Sequence, residues 1–245
     1  METTGEIVHG SASHWGAIIA TIVITIAFLC VGRKQNENRR RVLCRILAII
    51  IAIIYIADTC WIMTAATHGS WEKNLPFHYC SFMLLVAIAA LWSQNRTTCW
   101  VLYFGALTAC LQGLLTPALE TDFPHPRYFL FFAIHGILMP AALAVPLLLK
   151  IRARFRDIAI SLLLMDAYLL LIHPLNLLLD TNYGFTRESP VPGCILDYLG
   201  PAPWYYLLLQ IPVYGLFYLM YLPVREDRQV CSSAPEMNSP STLDF

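Results

Sequence analysis

Seven apolar runs account for most of this chain of 245 residues. They cover residues 14–32, 44–66, 76–92, 99–115, 128–149, 157–179 and 203–222. Each run is close to the roughly 20 residues that an α-helix needs to cross a bilayer. Hydrophobic residues make up 58% of the chain, charged residues 13%, and the mean hydropathy is +0.59. These values lie far outside the usual range of a soluble domain. The sequence therefore predicts an all-α, polytopic membrane bundle of about seven transmembrane helices.

Lysine and arginine predict the orientation of this bundle. Three of the 16, namely Lys73, Arg127 and Arg187, fall between spans on one side, and the rest fall on the other. Because loops rich in Lys and Arg stay in the cytoplasm, we expect the N-terminus outside and the C-terminus inside. Residues 1–224 then form the transmembrane domain, with an uncleaved first span. Residues 225–245, rich in Ser, Pro and charge, are expected to form a disordered cytoplasmic tail.

Polar residues concentrate in the outer halves of the predicted spans. An ionisable group at the centre of a bilayer costs roughly 2.5–3.5 kcal/mol, so such groups usually face the bundle interior and mark function. At 1.5 Å per residue, Cys80 lies about 6 Å and His135 about 10 Å below the outer boundary, so their side chains could meet. The sequence predicts a polar cavity open to the outer leaflet, lined by these residues and by His14, Asp58, His78, Gln112, His173 and Asn176.

A long outer loop, residues 180–205, is expected to close this end of the bundle. It is rich in proline and glycine, which favours a fixed, turn-rich lid over a floppy tether. The loop contains Asn182 and Tyr183, which we include among the residues expected to bind substrate. It also contains Cys194, which could pair with Cys80 in an oxidising compartment.

Four segments carry a resemblance to a known family: "LPFHYCSFM", "YFGALTACLQGLLTP", "RYFLFFAIHGILM" and "LNLLLDTNYGFTRESPVPGCILDYLGPAPWYY". Together they look like the YwaF family of conserved bacterial integral membrane proteins. That family is similar to a eukaryotic transmembrane acyltransferase that moves acyl chains among phospholipids to make ether lipids, with a proposed acyl-cysteine intermediate. The resemblance implies a bacterial inner membrane, with the site facing the periplasm.

Carried over residue by residue, the resemblance implies a nucleophile at Cys80 and an intramembrane histidine at His135. Asn182 and the stretch 200–205 match more loosely. The chain departs from the acyltransferase pattern at Ser81, where that enzyme has a histidine; here the histidine is His78 and precedes the cysteine. A thiol in hydrocarbon needs a neighbouring base or cation to react, and His135 is the candidate base. Oxyanion donors could come from Asn182, Asn176 or Gln112.

The residues leave other functions open. The same cavity could bind or transport a small amphiphile, with Cys80 serving only as packing. A lipid-ester hydrolase is a third interpretation, and it would move the nucleophile to a residue such as Thr116. All three interpretations make membrane lipids the partners and require no metal or other cofactor. No basic surface with interleaved aromatic residues indicates nucleic acid. The sequence does not determine the oligomeric state.

The predicted orientation can be tested with reporters fused after the last span. A green fluorescent protein fused to the C-terminus should fluoresce, because it folds in the cytoplasm. Alkaline phosphatase at the same position should be inactive, because it needs the oxidising side. An active phosphatase with a dark fluorescent fusion would reverse the orientation.

Overall fold

The computed structural model describes residues 7–65, 72, 75–190, 195–201 and 204–226. A π-helical turn, Ala106–Cys110, joins α4 to α5, so residues 96–115 form one continuous segment. The eight α-helices are α1 (Ala12–Arg33), α2 (Glu37–Ala65), α3 (Tyr79–Ser93), α4 (Arg96–Gly105), α5 (Leu111–Leu115), α6 (Pro126–Leu147), α7 (Phe155–Leu179) and α8 (Trp204–Tyr221).

The described residues confirm the all-α fold and the multi-pass membrane architecture. With α4 and α5 counted as one segment, the described residues contain seven apolar helical segments. Their ends lie within about three residues of the predicted runs, except that α2 begins at Glu37, two turns before the predicted start at residue 44. Six of them are long and apolar enough to cross a membrane, and α3, with 15 residues, is shorter. Its 15 residues span about 22 Å, so α3 would cover most of the hydrocarbon layer.

The helices alternate in direction, which gives the bundle two distinct ends. We call the end at which α1, α3, α6 and α8 begin the histidine end, and the opposite end the arginine end. Capping residues set several boundaries: the Ser11 hydroxyl accepts from the amide of His14 at 3.2 Å, and the Asn95 side chain accepts from the amide of Thr97 at 2.9 Å. The loops rich in Lys and Arg lie at the arginine end, and the loops with few cations lie at the histidine end.

The core lies around α3, α4 and α6, whereas α1, α2, α7 and α8 expose many aliphatic side chains. Such exposed apolar faces fit contact with lipid tails. Tryptophan favours the boundary between water and hydrocarbon, and Trp15, Trp92 and Trp204 are exposed near the ends of their helices. Trp100 differs, because it is fully buried and packs edge-on against Tyr103. Although Trp100 lies near the start of α4, its side chain faces the core rather than the membrane surface.

A charge cluster fastens the arginine end. Arg96 donates to the buried carboxylate of Asp157 at 2.8 Å, and the same oxygen accepts from the backbone amide of Arg154 at 2.7 Å. The Arg154 guanidinium also meets Glu226 at 2.5 Å, and this hydrogen bond lowers the pKa of Glu226. The backbone amide of Glu226 donates to the carbonyl of Ala153 at 2.7 Å. The chain after α8 is thus tied to the loop before α7; the rest of the predicted tail, after Glu226, lies outside the described residues.

Replacing Asp157 with alanine should destabilise the bundle by about 2 kcal/mol. The change removes the cap of α7 and leaves Arg96 without its buried partner. Thermal unfolding in detergent measures the loss. Glu226→Gln is the matched control, since it removes a carboxylate of the same cluster that is exposed to water, and it should have a much smaller effect. Equal losses in the two variants would contradict the role assigned to Asp157.

Candidate functional site

An ion pair joins α2 to α6 at the histidine end. Arg127, in the first turn of α6, donates through Nη1 to the carboxylate of Asp58. Asp58 is only 4% exposed, whereas the Arg127 side chain is about one-third exposed. A buried carboxylate needs a cation, and Arg127 is one of three on that side of the sequence. Sequence analysis treated Arg127 only as a loop charge, although the need of Asp58 for a partner could have identified it.

His135 is buried about two turns deeper on α6 than Arg127 of the ion pair. Its Nδ1 lies 2.8 Å from the carbonyl oxygen of Phe131, one turn earlier. Because a carbonyl can only accept, Nδ1 carries the proton and Nε2 keeps its lone pair in the neutral ring. The ring rests on Gly113 of α5, where an added Cβ would lie 2.7 Å from Nε2. This packing fixes the ring and presents a nitrogen that can accept a proton.

Cys80 lies in the first turn of α3 and is half-buried. It is within electrostatic range of both Asp58 and Arg127, and its thiol interacts with the side chain and backbone of Ser81. The N-terminus of α3 and the nearby Arg127 support an anion at this position, whereas burial and the carboxylate of Asp58 oppose one. Cys80 and Cys110 are both free. Cys194 lies outside the described residues, and with it the suggested Cys80–Cys194 bridge.

His78 precedes the helix rather than lying on it, because α3 begins at Tyr79. Its ring packs edge-on against Tyr183 with centroids 5.1 Å apart, and at a tilt against Phe185 at 5.6 Å. His78 is within electrostatic range of His135 and Arg127. If His78 and Cys80 were both on the helix, their side chains would point in different directions. Because His78 lies before the helix, its ring can join the same polar cluster as Cys80.

Asn176 organises the loop that follows α7. This fully buried side chain donates to the carbonyl of Tyr183 at 2.8 Å and to the hydroxyl of Thr186 at 2.7 Å. Its carbonyl oxygen accepts from the Thr181 hydroxyl and from the amide of Tyr183, each at 2.8 Å. All of the hydrogen-bonding capacity of this amide is therefore spent on shaping the loop.

Tyr183 fastens this loop to the segment before α3. Its phenol donates to the carbonyl of Glu72 and accepts from the amide of Leu75 at 2.9 Å. Burial raises the pKa of Tyr183, which keeps the phenol protonated as a donor. Asn182 closes a turn beside it, accepting from the amide of Arg187 at 3.0 Å and donating to the carbonyl of Glu188 at 3.0 Å.

Two tyrosines of α8 hold the same loop from the other side. Tyr206 donates to the carbonyl of Gly184 at 2.6 Å, and Tyr205 donates to that of Phe185. Residues 181–190 of the loop are thus tied to α7, to α8 and to the segment before α3. It has the fixed, turn-rich character that its sequence indicates.

The remaining predicted residues lie around this centre in different settings. His14 accepts from the amide of Gly10 and donates through Nε2 to the carbonyl of Leu114 at 2.8 Å, so both ring nitrogens are used and Nε2 ties α1 to α5. Gln112 is exposed on α5 and donates to the Thr116 hydroxyl at 3.2 Å. His173 is half-buried on α7, and its Nδ1 is buried without a partner among the described residues.

A second polar group lies between α7, α8 and α3, and sequence analysis missed most of it. Gln210 donates to Asp166 at 2.7 Å, and Tyr168 donates to the carbonyl of Phe77 at 2.6 Å. The Tyr79 ring packs against Tyr168 with centroids 5.1 Å apart. Two signals were present: a carboxylate in the middle of a span, and a glutamine in the next span that could serve it.

The π-helical turn lies beside this group. It follows Gly105, where an added Cβ would lie 2.7 Å from the Tyr79 hydroxyl, and it ends at Cys110. Single π-helical turns are frequent at functional sites because they redirect side chains within a helix. Here the turn directs Cys110 to within electrostatic range of Cys80.

The structure thus brings together Cys80, His78, His135 and the Asp58–Arg127 pair at the histidine end, with Asn176, Asn182 and Tyr183 building the loop above them. His14 and Gln112 belong to the same end through α5. An open cavity among these residues stays a prediction.

Comparison with known proteins gives one family. The model of the TMEM164 family matches residues 9–221, which include every candidate residue named above. No curated protein and no solved structure matches the chain. The general resemblance to a family of integral membrane proteins is therefore confirmed, while the YwaF name stays a resemblance.

Asn176→Ala should release the loop at the histidine end. The change removes four hydrogen bonds, and trypsin should then cut after Arg187 at least about tenfold faster, since a loss of 1.4 kcal/mol in local stability already gives that factor. Asn95→Ala, which removes an asparagine cap at the arginine end, is the control and should leave this cleavage unchanged. Cleavage at the same rate in wild type and Asn176→Ala would contradict the organising role.

Proposed function

The chain belongs to the TMEM164 family, and on that premise we propose that it transfers acyl chains between membrane lipids through a cysteine–histidine pair. Cys80 is the nucleophile and His135 the general base and acid. The observation that supports this best is the tautomer of His135, whose Nδ1 proton is fixed on the Phe131 carbonyl and whose Nε2 is left as the basic atom. We place the site in the outer leaflet of a bacterial inner membrane, which rests on the charge pattern and the resemblance.

The reaction proceeds in two balanced halves. In the first, Nε2 of His135 takes the thiol proton and the sulfur of Cys80 attacks the ester carbonyl of a phospholipid. The carbon–sulfur bond forms, the ester carbon–oxygen bond breaks, and the leaving lysophospholipid oxygen takes the proton from His135. In the second half, an acceptor lysophospholipid gives its hydroxyl proton to His135 and attacks the thioester. The new carbon–oxygen bond of the ester forms, the carbon–sulfur bond breaks, and the departing thiolate of Cys80 recovers its proton from His135.

Arg127 gives this chemistry its electrostatic support, against the effects of burial and Asp58 on Cys80. Arg127 is within electrostatic range of Cys80, His78 and His135. A cation there stabilises the thiolate and the oxyanion that forms when the carbonyl is attacked. Gln112, whose side chain is exposed, is a further oxyanion donor in this proposal, and His78 contacts the substrate from the α3 side. His14, with both ring nitrogens hydrogen-bonded, has a positioning role and holds α1 against α5.

The residues of the loop have a positioning role in this proposal. Asn176 and Asn182 spend their side-chain amides on the loop itself, and Tyr183 binds the segment that leads into α3. They therefore hold the cover of the site and the start of the helix that carries Cys80. His173, with its unpartnered Nδ1, is available to a polar group of the lipid.

Two alternatives remain distinguishable by experiment. A protein that only binds or transports an amphiphile would use the same residues without covalent chemistry. A hydrolase using Thr116 would not need Cys80. Against that alternative, the Thr116 hydroxyl donates to the carbonyl of Gln112 at 3.1 Å rather than to a histidine.

Purified protein in lipid micelles should become labelled by a phospholipid that carries an alkyne on its acyl chain. The label should be removed by hydroxylamine, as a thioester is. Cys80→Ala should abolish it, and His135→Ala should slow its formation roughly 100-fold or more, because general acid–base catalysis supplies at least that factor.

Cys110→Ala is the matched control, since it removes the neighbouring buried thiol and should label as wild type does. Thr116→Ala tests the hydrolase alternative. If labelling persisted in Cys80→Ala, the thioester mechanism would be wrong. If wild type bound the lipid reversibly without any label, a binding or transport role would replace the enzyme.

A further inference from the structure

The arginine end carries a groove that the proposed chemistry does not use. Its two adjoining parts have volumes of about 400 Å³ and 210 Å³. It lies where α2 begins and where α3 and α6 end. The residues that matter for its chemistry are Arg40, Gln94, Lys150, Leu148, Leu149 and Ile151.

Two hydrogen-bond donors in this groove are buried without an acceptor. Within the described residues, neither Nε of Arg40 nor Nε2 of Gln94 has a partner. Buried polar atoms in proteins are nearly always hydrogen-bonded, so two orphan donors beside one groove indicate a missing acceptor. The guanidinium of Arg40 is held in place by its Nη2, which donates to the carbonyl of Arg33 at 3.1 Å. Its Nε is therefore positioned but unused.

The charge of the groove is positive. The carboxylate of Glu37 at its edge is paired with Arg41 at 2.6 Å. In the part of the chain that the structure describes, neither Arg40 nor Lys150 has a carboxylate within salt-bridge distance. The first turn of α2 adds the positive end of a helix dipole. An anion with several oxygen acceptors fits these donors.

One wall of the groove is apolar. Leu148, Leu149 and Ile151 form it. Leu148 is held firmly, because α1 packs so closely against it that a Cβ on Gly32 would lie 2.6 Å from its side chain. A free phosphate ion gains nothing from such a wall, whereas a lipid can lay its glycerol and upper acyl carbons along it.

We propose that this groove binds the phosphate group of an anionic phospholipid, with Arg40, Gln94 and Lys150 as the donors. The site is separate from the acyl-transfer site, since the two lie at opposite ends of the bundle. It would hold a lipid as a resident of the leaflet at the arginine end, next to the junction of α2, α3 and α6.

The test is a binding titration of the full chain in neutral detergent, followed by native mass spectrometry. The probes are dihexanoyl phosphatidylglycerol, dihexanoyl phosphatidylcholine and inorganic phosphate. One phosphatidylglycerol should bind more tightly than either of the others. Arg40→Gln and Lys150→Gln should each weaken it about fivefold, and Gln94→Ala should weaken it without any change of charge.

Arg39→Gln is the matched control, because it removes the same charge from a neighbouring exposed side chain outside the groove. It should leave the affinity unchanged, and the thermal unfolding of each variant without lipid confirms that it folds. Equal weakening by Arg39→Gln and Arg40→Gln would reduce the effect to general surface attraction and overturn the proposal. Competition by inorganic phosphate at the affinity of the lipid, or equal binding of phosphatidylcholine, would overturn it as well.

Discussion

The contact between Asp58 and Arg127 is the constraint on which the histidine end depends. A carboxylate inside a lipid-facing bundle is costly unless a cation meets it, and meeting it fixes the start of α6 against α2. The guanidinium then lies within electrostatic range of Cys80, His78 and His135. One ion pair thus joins two helices and places both a carboxylate and a guanidinium within electrostatic range of Cys80.

The two ends of the bundle are stabilised by different kinds of interaction. At the histidine end, the neutral side chains of Asn176 and Tyr183 hold a loop over the helices through hydrogen bonds to backbone groups. At the arginine end, the loops are short and charged, and Asp157 anchors Arg96 beneath them. The proposed reactive groups therefore lie under the loop at the histidine end. The excess positive charge lies at the arginine end, where it can face lipid phosphates.

The sequence predicted the helices well because each is a long apolar run. In hydrocarbon the backbone must satisfy its hydrogen bonds internally, and an α-helix does so within one segment. It also predicted that Cys80, His78 and His135 share one end, because depth follows from counting residues along a span. It could not predict that His135 rests on Gly113 or that Gln210 meets Asp166, since rotation about a helix axis depends on packing between helices. Trp100 shows the same limit: tryptophans near helix ends are typical of the membrane surface, but the rotation of α4 turns this side chain into the core.

The most direct test of the central claim is to locate the acyl group on the protein itself. Wild-type protein would be incubated with a donor phospholipid and no acceptor, digested, and its peptides analysed by mass spectrometry at neutral pH. The account predicts a fatty acyl mass on the peptide that contains Cys80, and its loss when an acceptor lysophospholipid is added. An acyl group on Thr116, or none on any residue while lipid is bound, would contradict it.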